Sequence, residues 1–178
     1  MPRDPTSVII RPTRAADVVS VAHVHIAAWQ TAYRGILPDA FLASLSQEKH
    51  EERHRRYLAK PGTIHFVAEL PQHEVVGFVM GGTERSGDGK YRGEMYAIYL
   101  LAEHRRRGIG AALARRWAQT LRDGGINSAL VWVLSDNQPA AAFYQRLGAR
   151  ELRQQPIDIG GISLRETAYG WDDLNLIP

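Results

Sequence analysis

Apolar positions recur along this chain in two periods that alternate. A short extended run at 8–11 precedes a stretch over 17–33 in which Val18, Val21, Ala22, Val24, Ala28 and Trp29 fall at helical spacing, with Thr13 as its candidate cap. Gly35 and Pro38 stop that helix, and 39–45 and 47–58 read as two shorter ones. Strand patterns occupy 64–69 and 75–82 with a turn at 71–74, and a loop at 84–90 leads to a fourth strand at 95–101. A helix over 108–122 ends at Gly124-Gly125. A strand at 128–134, a helix at 138–147 and closing strands at 150–153 and 163–171 complete the order. The alternation predicts an α/β (α+β) fold: one mixed sheet flanked by helices, without internal repeats. No proline, glycine or serine tract divides the 178 residues, so a single domain over 1–178 is expected.

The fourth strand runs into Arg105-Arg106-Arg107-Gly108-Ile109-Gly110, and an alanine-rich helix begins at Ala111. Glycines three and five residues after Arg105 let successive N–H groups turn toward one point, where the positive end of the helix adds to the field. A diphosphate fits such a loop. The dinucleotide fingerprint fails because its third glycine position is Leu113. The triphosphate loop fails because Lys90, after Gly89, is followed by Tyr91 rather than Ser or Thr.

Arg-x-x-Gly-x-Gly at a strand-to-helix junction resembles the pyrophosphate loop of the GNAT superfamily, the acyl-CoA-dependent N-acetyltransferases. Two further segments agree in order and spacing. Val131-Trp132-Val133-Leu134, Asn137, Phe143-Tyr144 and Leu147-Gly148 are similar to the second signature of that superfamily, and Glu94 stands eleven residues before Arg105. The likeness spans roughly residues 64–171. It implies a mostly antiparallel sheet with splayed fourth and fifth strands, and acetyl transfer from acetyl-CoA directly to a primary amine.

The resemblance also implies roles. The backbone of Arg105, Arg106, Arg107, Gly108, Ile109, Gly110 and Ala111 holds the diphosphate. Ile98, Tyr99 and Leu100 pair with the pantetheine arm, the Leu100 N–H facing the oxyanion, and Asn137 caps the next helix and bonds the cofactor. Position 106 is often glycine in relatives and is arginine here. Glu94 matches a strand glutamate that serves as base, and Tyr144 a tyrosine that protonates the departing thiolate. Relatives that acetylate a ribosomal protein's N-terminus carry a glutamate where this chain has Trp132, which argues against that substrate. Trp29 and Tyr33, at i and i+4, are candidates for the acceptor wall with Tyr96; Tyr96 and Tyr99, three apart on a strand, are expected on opposite faces.

Composition narrows the partners. The formal charge is +3, arginines dominate the cations, and nucleic-acid binding is not required. No run is apolar enough to span a membrane and the start Met1-Pro2-Arg3-Asp4 has no leader-like core, so a cytoplasmic protein is expected. Without cysteine, no Cys-acyl intermediate can form. No metal site is expected: His23 and His25 diverge on their helix, and His50 and His54 lie in a charged stretch that reads as solvated. The resemblance admits a homodimer. Two other readings stand beside the enzyme: a catalytically silent acyl-CoA-binding module, in which Glu94 and Tyr144 are dispensable, and a basic protein whose Arg105–Arg107 and Arg115-Arg116 contact nucleic-acid phosphates.

Overall fold

A computed structural model describes residues 8–178; the Met1–Asp4 stretch lies outside them. Seven strands and five helices follow one another as β1 (Ile9–Pro12), α1 (Val18–Ala32), α2 (Asp39–Ala43), α3 (Gln47–Ala59), β2 (Ile64–Glu69), β3 (Val75–Thr83), β4 (Gly93–Leu100), α4 (Ile109–Asp123), β5 (Ala129–Leu134), α5 (Gln138–Arg146), β6 (Arg150–Ile159) and β7 (Ile162–Trp171). The strands form one sheet in the order β1-β2-β3-β4-β5-β7-β6. Every neighbouring pair is antiparallel except β4 and β5. This is the mixed, mostly antiparallel sheet expected from the sequence.

The two faces are covered by different helices. Phe78 and Tyr99 meet His25 of α1 on one face, which α3 also covers, while Trp117 of α4 and Tyr144 of α5 pack against Trp171 on the other. Trp117, Trp171, Phe78 and Met80 are fully buried and fill the middle of both layers. Gly81 is required there by close approach: an added Cβ would lie 2.4 Å from the Trp117 indole nitrogen and from the Glu94 carbonyl.

Three local expectations are corrected. Thr13 does not cap α1, which is entered through a 3-10 turn at Ala15–Asp17; its hydroxyl instead lies 2.7 Å from His65 Nδ1. The stretch around His54 is not solvated throughout, because His54 is wholly buried between α1 and the sheet. It stands in a file of imidazoles, with His25 Nδ1 3.0 Å from its Nε2 and His65 Nε2 3.1 Å from its Nδ1. Each ring nitrogen in the middle of that file serves a different neighbour, so the three rings do not converge on one point, and the described residues contain no metal-holding group. Finally, β6 is ten residues long, not four. Its polar composition and Pro156 mask an edge strand that β7 supports along its whole length, closed by a Gly160-Gly161 turn with both φ positive.

Candidate active site

Strands β4 and β5 pair only at Gly93↔Ala129, Glu94↔Leu130 and Met95↔Val131, and then diverge. The Leu101 N–H donates to the Val76 carbonyl, and ladder alternation turns the main-chain groups of Tyr99 and Ala97 the same way, toward β3. The N–H and C=O groups of Ile98 and Leu100 therefore face the gap that β5 has left. That gap opens into a cleft of about 590 Å³.

The wall at one end is the glycine loop. Arg106 takes φ +63° and Gly108 φ +79°, and these two left-handed residues curl the chain into the start of α4. The first amide to re-enter the helical ladder is that of Ala112, bonded to the Gly108 carbonyl. The amides of Arg106 to Ala111 have no acceptor within the described chain and crowd the helix N-terminus. The two glycines are needed for different reasons. Gly108 is needed for its φ, with open space where a Cβ would go; Gly110 is needed for space, since a Cβ there would lie 3.2 Å from the Phe143 ring. The exposed Arg106 side chain leaves the amide in place, and Arg105 acts as a strap, its guanidinium bonded to Thr31 Oγ1 at 2.9 Å and reaching toward the Leu100 carbonyl.

Of the residues singled out from the sequence, Ile98, Tyr99, Leu100, Arg105, Arg106, Gly108, Gly110, Ala111, Asn137, Tyr144, Tyr33 and Tyr96 line the cleft. Arg107 points to solvent and Ile109 into the core. Trp29 stands behind Tyr33, ring centroids 5.0 Å apart, with its indole N–H buried and unpartnered. Asn137 caps α5 by accepting from the Ala140 amide at 3.3 Å. Sequence reasoning passed over Arg146, Pro139, Ala140 and Phe143 as lining residues, although 139, 140, 143 and 146 form an i, i+3/i+4, i+7 stripe on α5 that marks one helix face.

Tyr96 and Tyr99 are not on opposite faces. The β3–β4 register slips between Met80 and Gly81, which leaves Tyr96 as an extra residue in β4. The bulge resets the alternation, so Tyr96 meets Tyr57 of α3 while Tyr99 stacks on His25 of α1, both on the same side. The hydroxyls of Tyr99 and Tyr33 are 2.8 Å apart. Burial pushes both phenols up, Tyr33 well above its ordinary value. Burial also pushes the Tyr144 phenol far up, with Tyr99 nearby adding to the shift, so its hydroxyl stays protonated across the neutral range.

Glu94 is buried on the same face as Tyr96 but outside the cleft lining. Arg85 engages both of its oxygens, at 2.5 Å from Nη2 and 3.1 Å from Nε, and the Arg85 amide adds a third bond at 3.1 Å. The guanidinium also lies 3.9 Å above the Tyr96 ring and donates to the Tyr57 hydroxyl. The arrangement pins the hairpin between β3 and β4 to the sheet.

A splayed parallel pair beside a curl of free amides is the geometry the sequence resemblance implies. Residues 27–149 match the acetyltransferase (GNAT) family. The chain belongs to that family. It is 36% identical over 170 residues to the uncharacterized N-acetyltransferase YuaI of Bacillus subtilis, covering 96% of each chain. Its fold is similar to the N-acetyltransferase of Staphylococcus aureus Mu50, with a TM-score of 0.75 at 18% identity over 95% of this chain and 99% of that one. It is also similar to the PaiA N-acetyltransferase of Thermoplasma acidophilum, solved with coenzyme A, with a TM-score of 0.71 at 20% identity over 90% of this chain and 98% of that one. Among the described residues no helix is long and apolar enough to cross a membrane.

Proposed function

We propose that this GNAT acetyltransferase moves an acetyl group from acetyl-CoA directly to an amine, with no covalent enzyme intermediate. The observation that carries the reading is the continuity of the cleft. Free amides at Arg106 to Ala111 meet a diphosphate, and the free N–H and C=O of Ile98 meet the amides of the pantetheine arm. The PaiA N-acetyltransferase, whose fold is shared, was solved with coenzyme A.

The chemistry then assigns each group a task. The amine nitrogen attacks the thioester carbon, and the charge gathering on the carbonyl oxygen is met by the Leu100 N–H. As the C–S bond breaks, Tyr144 gives its phenolic proton to the sulfur. Tyr33 and Tyr99 line the cleft together with Tyr144, and Asn137 holds the turn into α5. Glu94 receives the proton of the amine through water. A second reading is favoured by one observation, the three bonds from Arg85 to Glu94: in it Glu94 only anchors the hairpin.

Calorimetric titration with acetyl-CoA tests the donor. Saturable binding that disappears in the double variant Gly108→Asp/Gly110→Asp is the expected result, and no binding to the wild type overturns the proposal. Glu94→Gln separates the two readings of the carboxylate. Turnover that falls most at low pH with unchanged acetyl-CoA affinity supports proton acceptance; unchanged turnover at every pH with a lowered melting temperature assigns Glu94 to the hairpin.

A further inference from the structure

Two aromatic side chains that line the cleft from either side of the splay, Tyr96 of β4 and Trp132 of β5, each carry an arginine. Trp132 shares its side of the sheet with Leu134, two residues on, which packs with Tyr33 of α1. The Arg85 guanidinium lies 3.9 Å from the centre of the Tyr96 ring and is paired with Glu94. The Arg153 guanidinium lies 5.2 Å from the centre of the Trp132 ring and is paired with Asp88 at 2.7 Å. Arg85 and Asp88 both belong to the hairpin loop 84–92 between β3 and β4, so one loop reaches both rings.

Strand pairing brings Arg153 to the indole. Trp132 on β5 and Arg153 on β6 both stand opposite Ala168 of β7, so the three residues form one row across the sheet. The β6–β7 register slips between Glu151 and Arg153, leaving Leu152 as the extra residue. Without that bulge Leu152 would take the place opposite Ala168, and Arg153 would point to the other side of the sheet. Ala168 is fully buried and offers only a methyl group, so the long Arg153 side chain crosses it to reach Trp132. Asp88 is the fixed end of the row. One of its oxygens accepts the Lys90 and Tyr91 amides at 2.8 and 2.9 Å and the other takes Arg153, with the side chain only 11% exposed. Tyr91 seats the same end of the loop, buried and donating its hydroxyl to Asp172 at 2.7 Å. Asp88 therefore holds Arg153, and Arg153 holds the ring.

We propose that Arg153 and Asp88 are positioning residues for the acceptor: they hold Trp132 in one orientation, as a wall against which the group attached to the amine packs. This rests on the acetyl-transfer reading and deepens it. Neither Arg153 nor Asp88 lines the cleft, so each acts through the indole alone. The donor is met by the loop at 106–111 and by Ile98, and among the described residues no hydrogen bond or ion pair of the Arg153 or Asp88 side chain reaches them. Releasing the ring therefore weakens the fit of the acceptor and leaves the donor site as it is. The hairpin between β3 and β4, which holds Tyr96 through Arg85 and Trp132 through Asp88, becomes the frame of the acceptor side.

The probes are benzylamine, whose ring can pack on the indole, and hydroxylamine, which is too small to span from the thioester to it, both assayed by thiol release from acetyl-CoA. Arg153→Met is expected to raise the benzylamine KM by about fivefold, with the KM values for hydroxylamine and acetyl-CoA unchanged. Arg153→Lys, which keeps the charge beside Asp88, is expected to restore part of the loss, and Asp88→Asn to raise the benzylamine KM in the same direction. The deciding comparison is a double-mutant cycle. In a Trp132→Ala background, Arg153→Met is expected to change the benzylamine KM no further, because Arg153 has lost the ring through which it acts. The proposal is overturned if Arg153→Met leaves the benzylamine KM unchanged, if it raises the acetyl-CoA KM equally, or if its effect persists undiminished in the Trp132→Ala background. It is also overturned if a wild type that binds acetyl-CoA does not use benzylamine. A wild type that fails to bind acetyl-CoA overturns the underlying reading instead. A melting curve of Arg153→Met matching the wild type shows that a KM change is not a folding defect; if that variant does not fold, Arg153→Lys and Asp88→Asn carry the same cycle.

Discussion

The buried imidazole file makes the stability of this protein depend on pH between about 7 and 5. His25, His54 and His65 are shut between α1, α3 and the sheet, with Arg53, His50 and Asp17 as the charged or titratable groups nearest them. Burial, reinforced by neighbouring His65 and Arg53, pulls His54 down to about 3; burial pulls His65 down to about 4 against the pull of Asp17; His25 is lowered well below its usual range, again chiefly by burial. A histidine with a native pKa below its unfolded value near 6.5 takes its proton in the unfolded chain first. Its contribution is complete above pH 6.5 and is lost as pH falls toward the native value. At about 1.4 kcal/mol per pH unit, His54 and His65 each forfeit about 2 kcal/mol between pH 7 and pH 5, and His25 adds in the same direction. A loss of about 4 kcal/mol or more is a large part of the roughly 5–15 kcal/mol that holds a domain together. Urea unfolding at pH 7, 6 and 5, extrapolated with a common slope, measures it. His54→Gln keeps hydrogen-bonding capacity without the titration and is expected to remove about 2 kcal/mol of the pH 7 to pH 5 loss. A wild-type change below about 1 kcal/mol over that range refutes the argument, because it means the rings are solvated or already charged in the native state.

The loop and the cleft give further expectations. Arg106→Gly removes a left-handed strain of about 1 kcal/mol, so the melting temperature should hold or rise, while calorimetry should find acetyl-CoA affinity within about threefold because the amide is unchanged. Gly108→Ala places a side chain at φ +79° and should cost about 1–2 kcal/mol in unfolding free energy. Gly110→Ala instead presses on Phe143, and should raise the acetyl-CoA Kd about fivefold, or about 1 kcal/mol, with the smaller effect on melting. Tyr144→Phe should slow turnover by about tenfold or more with the donor affinity kept; full activity would reduce Tyr144 to a packing residue against Trp171.

Much of this molecule is written in local pattern. The helical stripe of α1, the strand of β4, the paired glycines at 108 and 110, and the Asn137 cap depend on residues within a few positions of one another, and each is legible without coordinates. The sequence by itself therefore determined the order of elements, the loop that curls free amides onto a helix end, and the identity of most side chains beside it. Only the tertiary structure decided how these meet. One extra residue at Tyr96 reverses the faces of everything after it in β4, and that slip is set by pairing with β3 rather than by the composition of β4. His54 looks solvated among the charges of α3 until α1 and β2 place His25 and His65 against it, and β6 looks like a polar loop until β7 supplies its ladder. Glu94 looks free until the hairpin folds Arg85 back over it. Periodicity reports which side of its own element a residue occupies; partners brought from tens of residues away decide burial, charge and strand register, and with them the chemistry each side chain can do.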